Sequence, residues 1–298
     1  LINRLHGRKS MAGKLSPDLK ELGNLGKSVA CLEGMGLTSR QAVKVNLYRR
    51  NPGEGLAFIL IPNGMETEGD TSERLVVRAH ADSVISTTRN TALGEGKIRV
   101  CFVEHILCAL ALCNVDDLYI EVLGPELPMG NGSCDLWFDL LTRSGLSNPL
   151  PEPDLELDAP IILRHKDRIL MALPSDTFSV TYLLEMDHPK IGRIWRSWRR
   201  GDDLEAVTTA RTFGSLMEHQ LLGFDKDVVS FTKDDFTMPL QSPDEPVRHK
   251  LLDLIGDLML CGVNPLRIKA DFISIKGGHA IDVEMAGKLS EIFGNSGK

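Results

Sequence analysis

Two segments of the sequence repeat the same order of structure, and this repeat limits the folds open to the chain. Residues 103–115 have apolar side chains at helical spacing and precede 116–124, where apolar and polar residues alternate as in a strand. Residues 247–275 show the same order of helix and strand. Both helices begin with Val-x-His, which gives His105 and His249 equivalent positions. Two copies of one α+β unit, packed face to face, would bring these helix starts together.

The repeat predicts an α+β fold of two structurally similar α+β sandwich domains, packed helix face to helix face with the active site between them. Residues 147–160 contain four prolines, which suits a linker that leads into a strand. We therefore predict an N-terminal domain at 18–148 and a C-terminal domain at 149–298. Apolar or alternating runs predict further sheet strands in five segments: 28–36, 42–50, 55–62, 168–175 and 178–186.

The balance of charge disfavours two classes of partner. With 42% hydrophobic and 25% charged residues, the 298-residue chain has the composition of a soluble globular protein. Its formal net charge of -7 gives no overall attraction to nucleic acid or anionic membranes, because both attract clustered positive charge. No stretch approaches the roughly 20 apolar residues of a membrane span. We expect no nucleic-acid partner and no transmembrane segment.

Cysteine usage and the N-terminal composition bear on the compartment. The six cysteines form no Cys-x-x-Cys pair and lie mostly in apolar stretches, as the reduced cysteines of cytoplasmic proteins do. Residues 1–14 are basic, but no apolar core follows them, so they do not predict a secretory signal. We expect a cytoplasmic monomer.

One basic cluster departs from the acidic composition. Residues 193–200 interleave Trp195 and Trp198 with four arginines. The plain interpretation is a solvated loop or an edge strand. The alternative is a contact with an anionic ligand or surface.

Three polar residues form a stripe along the second helix. His249, Asp253 and Asp257 recur every four residues, and a helix turns about 100° per residue, so they share one face. The Cβ atoms of His249 and Asp253 would lie about 5–6 Å apart, close enough to share one ion. The plain alternative is a surface His–Asp pair that stabilises the helix slightly. The surrounding leucines favour a buried edge, where unpaired charge is unfavourable.

His105, at the matching position of the first half, is a natural third ligand beside His249 and Asp253. Two histidines and one carboxylate with an open position form the arrangement of a catalytic zinc site, in which the metal lowers the pKa of its water to about 7. Glu104, next to His105, can reach such a water. The residues therefore predict a Zn²⁺ cofactor.

Other polar residues could supply what hydrolysis needs besides the metal, namely an acid for the leaving group and donors for the oxyanion. His279 follows two glycines that let the backbone approach closely, and Asp257 can orient its imidazole. Thr212 offers a hydroxyl and Lys250 a positive charge. Each has a plain alternative, as a loop histidine, a helix-surface aspartate, a strand threonine or a solvated lysine.

Five motifs carry a resemblance to a known family: VEHILCAL (103–110), GPELPMGNGS (124–133), ARTFG (210–214), VRHKLLDLIGDL (247–258) and KGGHA (276–280). In this order and spacing they resemble the UDP-3-O-acyl-N-acetylglucosamine deacetylases, the zinc amidases of lipid A biosynthesis. The likeness runs from about Leu22 to the end of the chain. The combination of His-Lys-x-x-x-Asp-x-x-x-Asp with Val-Glu-His is highly specific.

For the metal and the chemistry, the resemblance implies two α+β domains of similar topology with zinc between them. It implies that zinc is held by the two histidines and Asp253 already named. Glu104 would be the general base, and His279, with Asp257 behind it, the general acid. Thr212 and Lys250 would stabilise the oxyanion or position the substrate.

For the substrate, the resemblance implies a UDP-acyl-sugar, with acetate and the free glucosamine nucleotide as products. Phe213 would line the pocket. Met186 stands where the family has an aromatic side chain that stacks on the uracil. His188, in the His-Pro turn that follows, would line the pocket or cap the turn.

Several positions depart from the family pattern. Thr38 replaces the histidine, and Arg40 the second glycine, of a Gly-Leu-His-Ser-Gly motif. Asn131 replaces an aspartate, and Met186 replaces the aromatic residue. The stretch between the ARTFG and VRHK motifs is shorter than usual and lacks the glycine-rich part of the insert that encloses the acyl chain. These departures concern substrate recognition and leave the motifs of the chemistry intact.

Three functions stay open at this point. The first is zinc-dependent hydrolysis of the N-acetyl group of UDP-3-O-acyl-N-acetylglucosamine. The second is that of a divergent paralogue, which deacetylates another N-acetylated substrate with the same zinc machinery. The third is a non-catalytic binding protein with a structural zinc ion.

Overall fold

A computed structural model describes residues 25–61, 74–223 and 228–294, and within these ranges the chain mixes helices and strands, as the predicted α+β class requires. Residues 18–24, the predicted start of the first domain, and 295–298 lie outside the described residues. The strands are β1 (Ala30–Met35), β2 (Ala42–Arg49), β3 (Leu56–Ile61), β4 (Leu75–Arg78), β5 (Val84–Ser86), β6 (Ala92–Glu95), β7 (Ile98–Cys101), β8 (Leu118–Leu123), β9 (Leu155–Glu156), β10 (Ile161–His165), β11 (Arg168–Pro174), β12 (Ser179–Glu185), β13 (Arg193–Arg199), β14 (Phe213–Ser215), β15 (Val229–Phe231) and β16 (Ile268–Ile275). The α-helices are α1 (Val103–Leu112), α2 (Asp135–Arg143), α3 (Glu205–Thr208), α4 (Leu216–Leu222), α5 (Glu245–Leu258) and α6 (His279–Phe293).

Two large sheets have the same strand order and the same strand directions. The first sheet has the order β1-β2-β8-β3-β4, and the second has β10-β11-β16-β12-β13, with β9 added beside β16. In each, the only parallel pair on this path joins the third and fourth strands, β8 with β3 and β16 with β12. Helix α1 precedes β8 and α5 precedes β16. The predicted repeat is therefore present at the level of topology.

The division into two domains at residue 148 stays a prediction. Each large sheet is built from one side of the proline-rich segment. One continuous cluster of buried apolar side chains, however, includes residues of both sheets and of helices α1, α5 and α6. The helices lie against each other within this cluster, so the two repeated units share a core.

The two central helices differ from their predicted bounds at the ends. Helix α1 ends at Leu112, three residues earlier than predicted, where Asn114 takes a left-handed conformation with φ of 50°. Helix α5 begins at Glu245, two residues earlier than predicted, because Pro246 is favourable in a first turn. It passes into a 3₁₀ turn that ends before Gly262, whose φ is 86°.

The remaining predictions about elements are confirmed or refined by the structure. The basic cluster forms β13, the edge strand of the second sheet, in agreement with its plain interpretation. All six cysteines are free. None of the helices in the three described ranges is long and apolar enough to cross a membrane.

Gly256 allows α5 to pass very close to the start of α1. A Cβ atom at this position would lie 2.0 Å from the carbonyl oxygen of Glu104, which no side chain can tolerate without a shift of the backbone. The contact lies one turn beyond Asp253 and next to His105. The absence of a side chain at Gly256 thus sets the distance between the polar residues of the two helices.

We predict that Gly256→Ala destabilises the protein by roughly 2–3 kcal/mol, because the added methyl group overpacks the contact between α1 and α5. In an unobstructed helix the same change stabilises by roughly 0.5–1 kcal/mol. Gly287→Ala in α6 is the matched control, since its Cβ would meet only the Ala81 methyl at 3.8 Å. In urea denaturation, the midpoint concentration of urea should be lower for Gly256→Ala than for the unmodified protein, whereas Gly287→Ala should not lower it. Equal midpoints for the two variants would show that α1 and α5 do not need this close approach.

Candidate active site

Three side chains that can bind one cation meet between α1 and α5. His105 lies in the first turn of α1, whereas His249 and Asp253 lie one turn apart on α5. One ligand atom from each residue lies within 4.8 Å of the other two, and all three side chains are buried. The ring centroids of His105 and His249 are 5.3 Å apart. The structure thus brings together the three residues predicted to bind the metal.

The backbone determines which nitrogen of each imidazole is free. Nδ1 of His105 donates to the carbonyl oxygen of Ser133 at 3.2 Å, and Nδ1 of His249 donates to that of Ala210 at 3.1 Å. A carbonyl only accepts, so Nδ1 carries the proton and Nε2 presents its lone pair. Burial lowers the pKa of His105 to about 3 and also lowers that of His249, which keeps both rings neutral. Imidazoles oriented in this way are ready to bind a metal.

Asp253 completes the donor set. Its Oδ2 accepts a hydrogen bond from Lys250, whereas its buried Oδ1 has no hydrogen-bond partner among the described residues and lies 3.4 Å from Nε2 of His249. Burial alone would raise the pKa of Asp253, but the charged Lys250 ammonium group that donates to Oδ2 favours the ionised form and holds the pKa well below its ordinary range. A buried, ionised and unpartnered oxygen beside two imidazole lone pairs fits a divalent cation.

Glu104 lies beside this donor set. Its Oε1 is 3.9 Å from Nε2 of His105, and its Oε2 accepts a hydrogen bond from the backbone N–H of Thr91 at 3.0 Å. Carboxylate oxygens of Glu104 and Asp253 and a ring nitrogen of His279 also lie within 4.8 Å of one another. Burial raises the pKa of Glu104 to about 8, so the ionised carboxylate binds a proton more tightly than that of an exposed glutamate.

His279 and Asp257 form a buried pair on the other side of Glu104. Nδ1 of His279 lies 2.7 Å from Oδ2 of Asp257, and both side chains are almost inaccessible to solvent. Burial by itself would lower the pKa of His279, but the Asp257 carboxylate outweighs burial and raises the pKa to about 10. The imidazole is therefore protonated at neutral pH and can give up a proton.

The turn before α6 delivers His279 to this position. Gly278, with φ of 138°, immediately precedes the helix, and a Cβ atom on Gly277 would lie 2.2 Å from Oγ of Ser274. Only glycine meets both demands without strain. The two glycines of the KGGHA motif act as the sequence predicted.

Thr91 links the acid and the base, although no motif in the sequence pointed to it. Its hydroxyl donates to Oδ1 of Asp257 at 2.5 Å, while its backbone N–H donates to Glu104. Its carbonyl accepts from the N–H of Val103, in the first turn of α1. Residues 91 and 257 are far apart in sequence, so no local pattern indicates their contact.

The two residues that follow Arg211 lie next to His249. Oγ1 of Thr212 is 2.9 Å from Nε2 of His249, and the ring of Phe213 packs edge-on against the same imidazole at 6.1 Å between centroids. Arg211 is held in place by Glu245, with 2.7 Å between Nε and Oε1. Thr212 and Phe213 therefore border the candidate metal-binding cluster, and their roles toward the oxyanion and the substrate stay predictions.

Met186 and His188 lie in the turn that follows β12, and the two side chains pack against different residues. The ring of His188 packs against Phe231 at 5.5 Å and Phe236 at 5.2 Å, and its buried Nε2 has no hydrogen-bond partner among the described residues. Met186 packs against the main apolar core. His188 thus lies beside the insert between β14 and α5, whereas Met186 lies against the main core, and a role of either residue in substrate binding stays a prediction.

Two of the departures from the family pattern have clear structural substitutes. Thr38 donates from its backbone and its hydroxyl to the carboxylate of Glu126, which is almost fully buried. Oδ1 of Asn131 accepts from the backbone and the hydroxyl of Ser133, at 2.9 and 2.7 Å. An aspartate would offer the same acceptor oxygen. The loop that orients His105 through the Ser133 carbonyl is therefore kept without the carboxylate.

The short insert keeps a compact supersecondary unit. Strands β14 and β15 pair in parallel, with α4 between them, while 224–227 lie outside the described residues. Leu222 and Val228 pack against a second apolar cluster that contains Leu37, Phe102 and Met129. This cluster connects the insert to the residue that precedes α1.

Known proteins are similar in sequence to this chain along most of its length. The UDP-3-O-acyl-N-acetylglucosamine deacetylase of Chlamydia muridarum is 31% identical over 280 residues, which cover 89% of this chain and 93% of that protein. The protein of the same name from a Nostoc species is 30% identical over 275 residues, with 86% and 94% covered. The one from a Synechocystis species is 28% identical over 286 residues, with 91% and 100% covered.

These relatives agree with a match to a protein family. The family is described as UDP-3-O-acyl N-acetylglycosamine deacetylase, and its model matches residues 25–291, which include every residue of the candidate site. The resemblance predicted from the five motifs is thus confirmed, and the chain belongs to the UDP-3-O-acyl N-acetylglycosamine deacetylase family.

Proposed function

We propose that this protein is a zinc-dependent amidohydrolase that removes the N-acetyl group of UDP-3-O-acyl-N-acetylglucosamine, a step of lipid A biosynthesis, and releases acetate. The observation that carries the proposal is the convergence of a metal donor set with a base and an acid. The carboxylate of Asp253 has an oxygen within 4.8 Å of ligand atoms in each of two sets, the histidines His105 and His249 and the Glu104–His279 pair. Membership of the deacetylase family supports the choice of reaction.

Zinc suits the donor set of His105, His249 and Asp253. Two neutral imidazoles and one carboxylate match the composition of catalytic zinc sites, which keep a fourth position for the reacting molecule. When bound, Zn²⁺ would polarise the acetyl carbonyl and make water more acidic. The unpartnered Oδ1 of Asp253 supports this assignment, because a buried carboxylate oxygen needs a cation or a donor.

Glu104 would act as the general base. Its carboxylate is held by the N–H of Thr91 and stands beside the metal ligand His105, so it can take a proton from the attacking water. Its raised pKa, about 8, makes it a stronger base than an exposed glutamate. Its position beside a candidate metal ligand supports the assignment of Glu104 as the proton acceptor.

His279 would act as the general acid for the leaving amine. Asp257 holds its Nδ1 and raises its pKa to about 10, so the ring enters the reaction protonated. Nε2 is then the atom that can pass a proton to the nitrogen of the breaking amide bond. Asp257 orients the ring and stabilises its positive charge.

Thr212 and Lys250 would stabilise the negative charge that develops on the acetyl oxygen. The Thr212 hydroxyl lies beside His249, and the Lys250 ammonium group is held by Asp253. Both groups are hydrogen-bond donors fixed in advance, so they need little reorganisation during the reaction. Phe213 would line the pocket next to His249, and Met186 and His188 would contact the substrate farther away.

We also propose that the protein works as a cytoplasmic monomer. The six free thiols support a reducing compartment, where disulfides rarely persist.

The purified protein loaded with Zn²⁺ should release acetate from UDP-3-O-acyl-N-acetylglucosamine. Glu104→Gln should lower the turnover by roughly a hundredfold or more, because it removes the base and keeps the size of the side chain. Mass spectrometry of the sugar nucleotide measures both results. Turnover of another N-acetylated amide, but not of this substrate, would favour the divergent paralogue. A Glu104→Gln variant that functions as well as the unmodified protein would favour a binding protein with a structural zinc ion.

His249→Ala should reduce the zinc content to a small fraction of one ion per chain, because it removes one of three protein ligands. His165→Ala is the matched control, since His165 is an exposed histidine paired with Glu284. Atomic emission after dialysis measures the metal in both. Full occupancy in His249→Ala would refute the ligand assignment.

Thr91→Val should lower kcat about tenfold and leave KM and zinc content unchanged, because it takes the hydroxyl donor from Asp257 but keeps the backbone donor to Glu104. Thr91→Ser should restore most of the rate. Thr181→Val removes a comparable hydroxyl contact, with Ser197 at 2.8 Å on the second sheet, and should have no effect. A parallel loss of folding stability and kcat in Thr91→Val would instead indicate a structural role.

A further inference from the structure

The arginine-rich edge strand β13 belongs to a sheet face that the proposed reaction does not use. Alternate residues of β13 point to opposite faces of the second sheet, and Trp198 packs in the main core. Trp195 lies on the other face, with Arg193 and Arg199. We call this side the outer face of the second sheet.

The strand register shows that apolar side chains occupy most positions of two rows across this outer face. One row of neighbouring residues runs Arg164, Ile169, Ile275, Leu183, Trp195. The next row runs Ile162, Met171, Ile273, Thr181, Ser197. Five strands about 4.8 Å apart make each row about 20 Å long. None of the apolar side chains in these rows belongs to the apolar clusters of the described core.

Two large apolar side chains at opposite edges of this face are open to solvent. Ile162 on β10 is 62% exposed, and Trp195 on β13 is 51% exposed. Between them, Ile169, Met171 and Ile273 are only half buried. A continuous apolar surface of this kind usually marks an interaction site.

The first sheet provides an internal comparison, because it has the same topology but a polar centre on its outer face. There, the central pair consists of Asn46 and Glu121, joined by a hydrogen bond of 2.9 Å. Tyr48 and Arg74 also contact the Glu121 carboxylate, at 3.1 and 3.8 Å. The apolar centre of the outer face is therefore a property of the second sheet and not of the repeated topology.

The charges on the outer face suit an anionic surface. Its strand residues include four cations and three carboxylates: Arg164, Lys269, Arg193 and Arg199 against Glu156, Glu185 and Asp271. Lys269 is paired with Glu156, whereas Arg164 and Arg199 stand at the two edges of the face. Arg193 is 66% exposed although it pairs with Glu185. This excess is opposite in sign to the net charge of -7 of the whole chain.

The same charges disfavour a second copy of the chain as the partner. Arginines stand at both edges of the face, Arg164 on β10 and Arg193 and Arg199 on β13. A face-to-face dimer would place arginine against arginine whichever edges met, and like charges at an interface are repulsive.

We propose that the outer face of the second sheet docks the protein on an anionic phospholipid bilayer. Trp195 and Ile162 enter the boundary between headgroups and acyl chains, where tryptophan is favoured. Arg164, Arg193 and Arg199 reach the lipid phosphates with their guanidinium groups while their stems cover apolar surface. The surface contains none of the candidate active-site residues, so this docking stands or falls independently of the proposed reaction.

Sedimentation with vesicles tests the proposal. The full chain should sediment with vesicles of phosphatidylglycerol and phosphatidylcholine in equal parts, and only weakly with phosphatidylcholine alone. Ile162→Ser and Trp195→Ala should each weaken binding about tenfold, because each removes an apolar side chain from the contact. Ile292→Ser on α6, 47% exposed and outside the face, is the matched control and should bind as the unmodified chain does.

Two further measurements decide between the outcomes. Tryptophan emission should shift to the blue on binding to anionic vesicles, and Trp195→Phe should remove the shift, because Trp137 and Trp198 are already buried. Unchanged melting temperatures of the variants would exclude unfolding as the cause of weaker binding. Absence of binding to anionic vesicles at low salt would overturn the proposal. It would also be overturned if the unmodified chain did not bind vesicles but formed a concentration-dependent dimer that Ile162→Ser abolishes.

Discussion

The candidate site depends on the close contact between the start of α1 and the middle of α5. Because Gly256 has no side chain, α5 can lie against the carbonyl oxygen of Glu104. This contact brings His105 beside His249, although 143 positions separate them along the chain. The apolar residues of both helices supply the driving force for the contact, and the polar stripe on α5 is buried as a consequence.

Burial and neighbouring charges then give the polar groups of the site different protonation states. The histidines that face the cation position stay neutral because desolvation disfavours their charged form, and the backbone carbonyls that accept from Nδ1 leave the lone pair on Nε2. His279 is equally buried but stays protonated, because Asp257 stands 2.7 Å away. Glu104 has a raised pKa, whereas Asp253 has a lowered one, because the Lys250 ammonium group donates to the Asp253 carboxylate. Histidine and acidic side chains can therefore serve as metal ligands, base and acid within a few ångströms of one another.

The repeated topology also separates chemistry from surface recognition. Both sheets turn their apolar inner faces to the shared helices, and the site forms between the helices. The outer faces are free to differ. The first carries Asn46 and Glu121 at its centre, and the second carries Ile273 and Met171 with arginines at the edges. The proposed docking surface therefore lies on the side of the second sheet that is turned away from the helices and from the candidate site.

By itself, the sequence determined the α+β class, the order of helix and strand in each half, and the identities of the residues that meet at the site. Periodicity reveals these features because burial of one face of a helix or strand leaves a regular pattern of apolar residues. Only the tertiary structure showed that Thr91 bridges Glu104 and Asp257, that Asn131 replaces a carboxylate without loss of the Ser133 turn, and that His188 packs beside the insert. These contacts join residues distant in sequence or depend on the direction of a single hydrogen bond, and neither leaves a periodic trace in the chain.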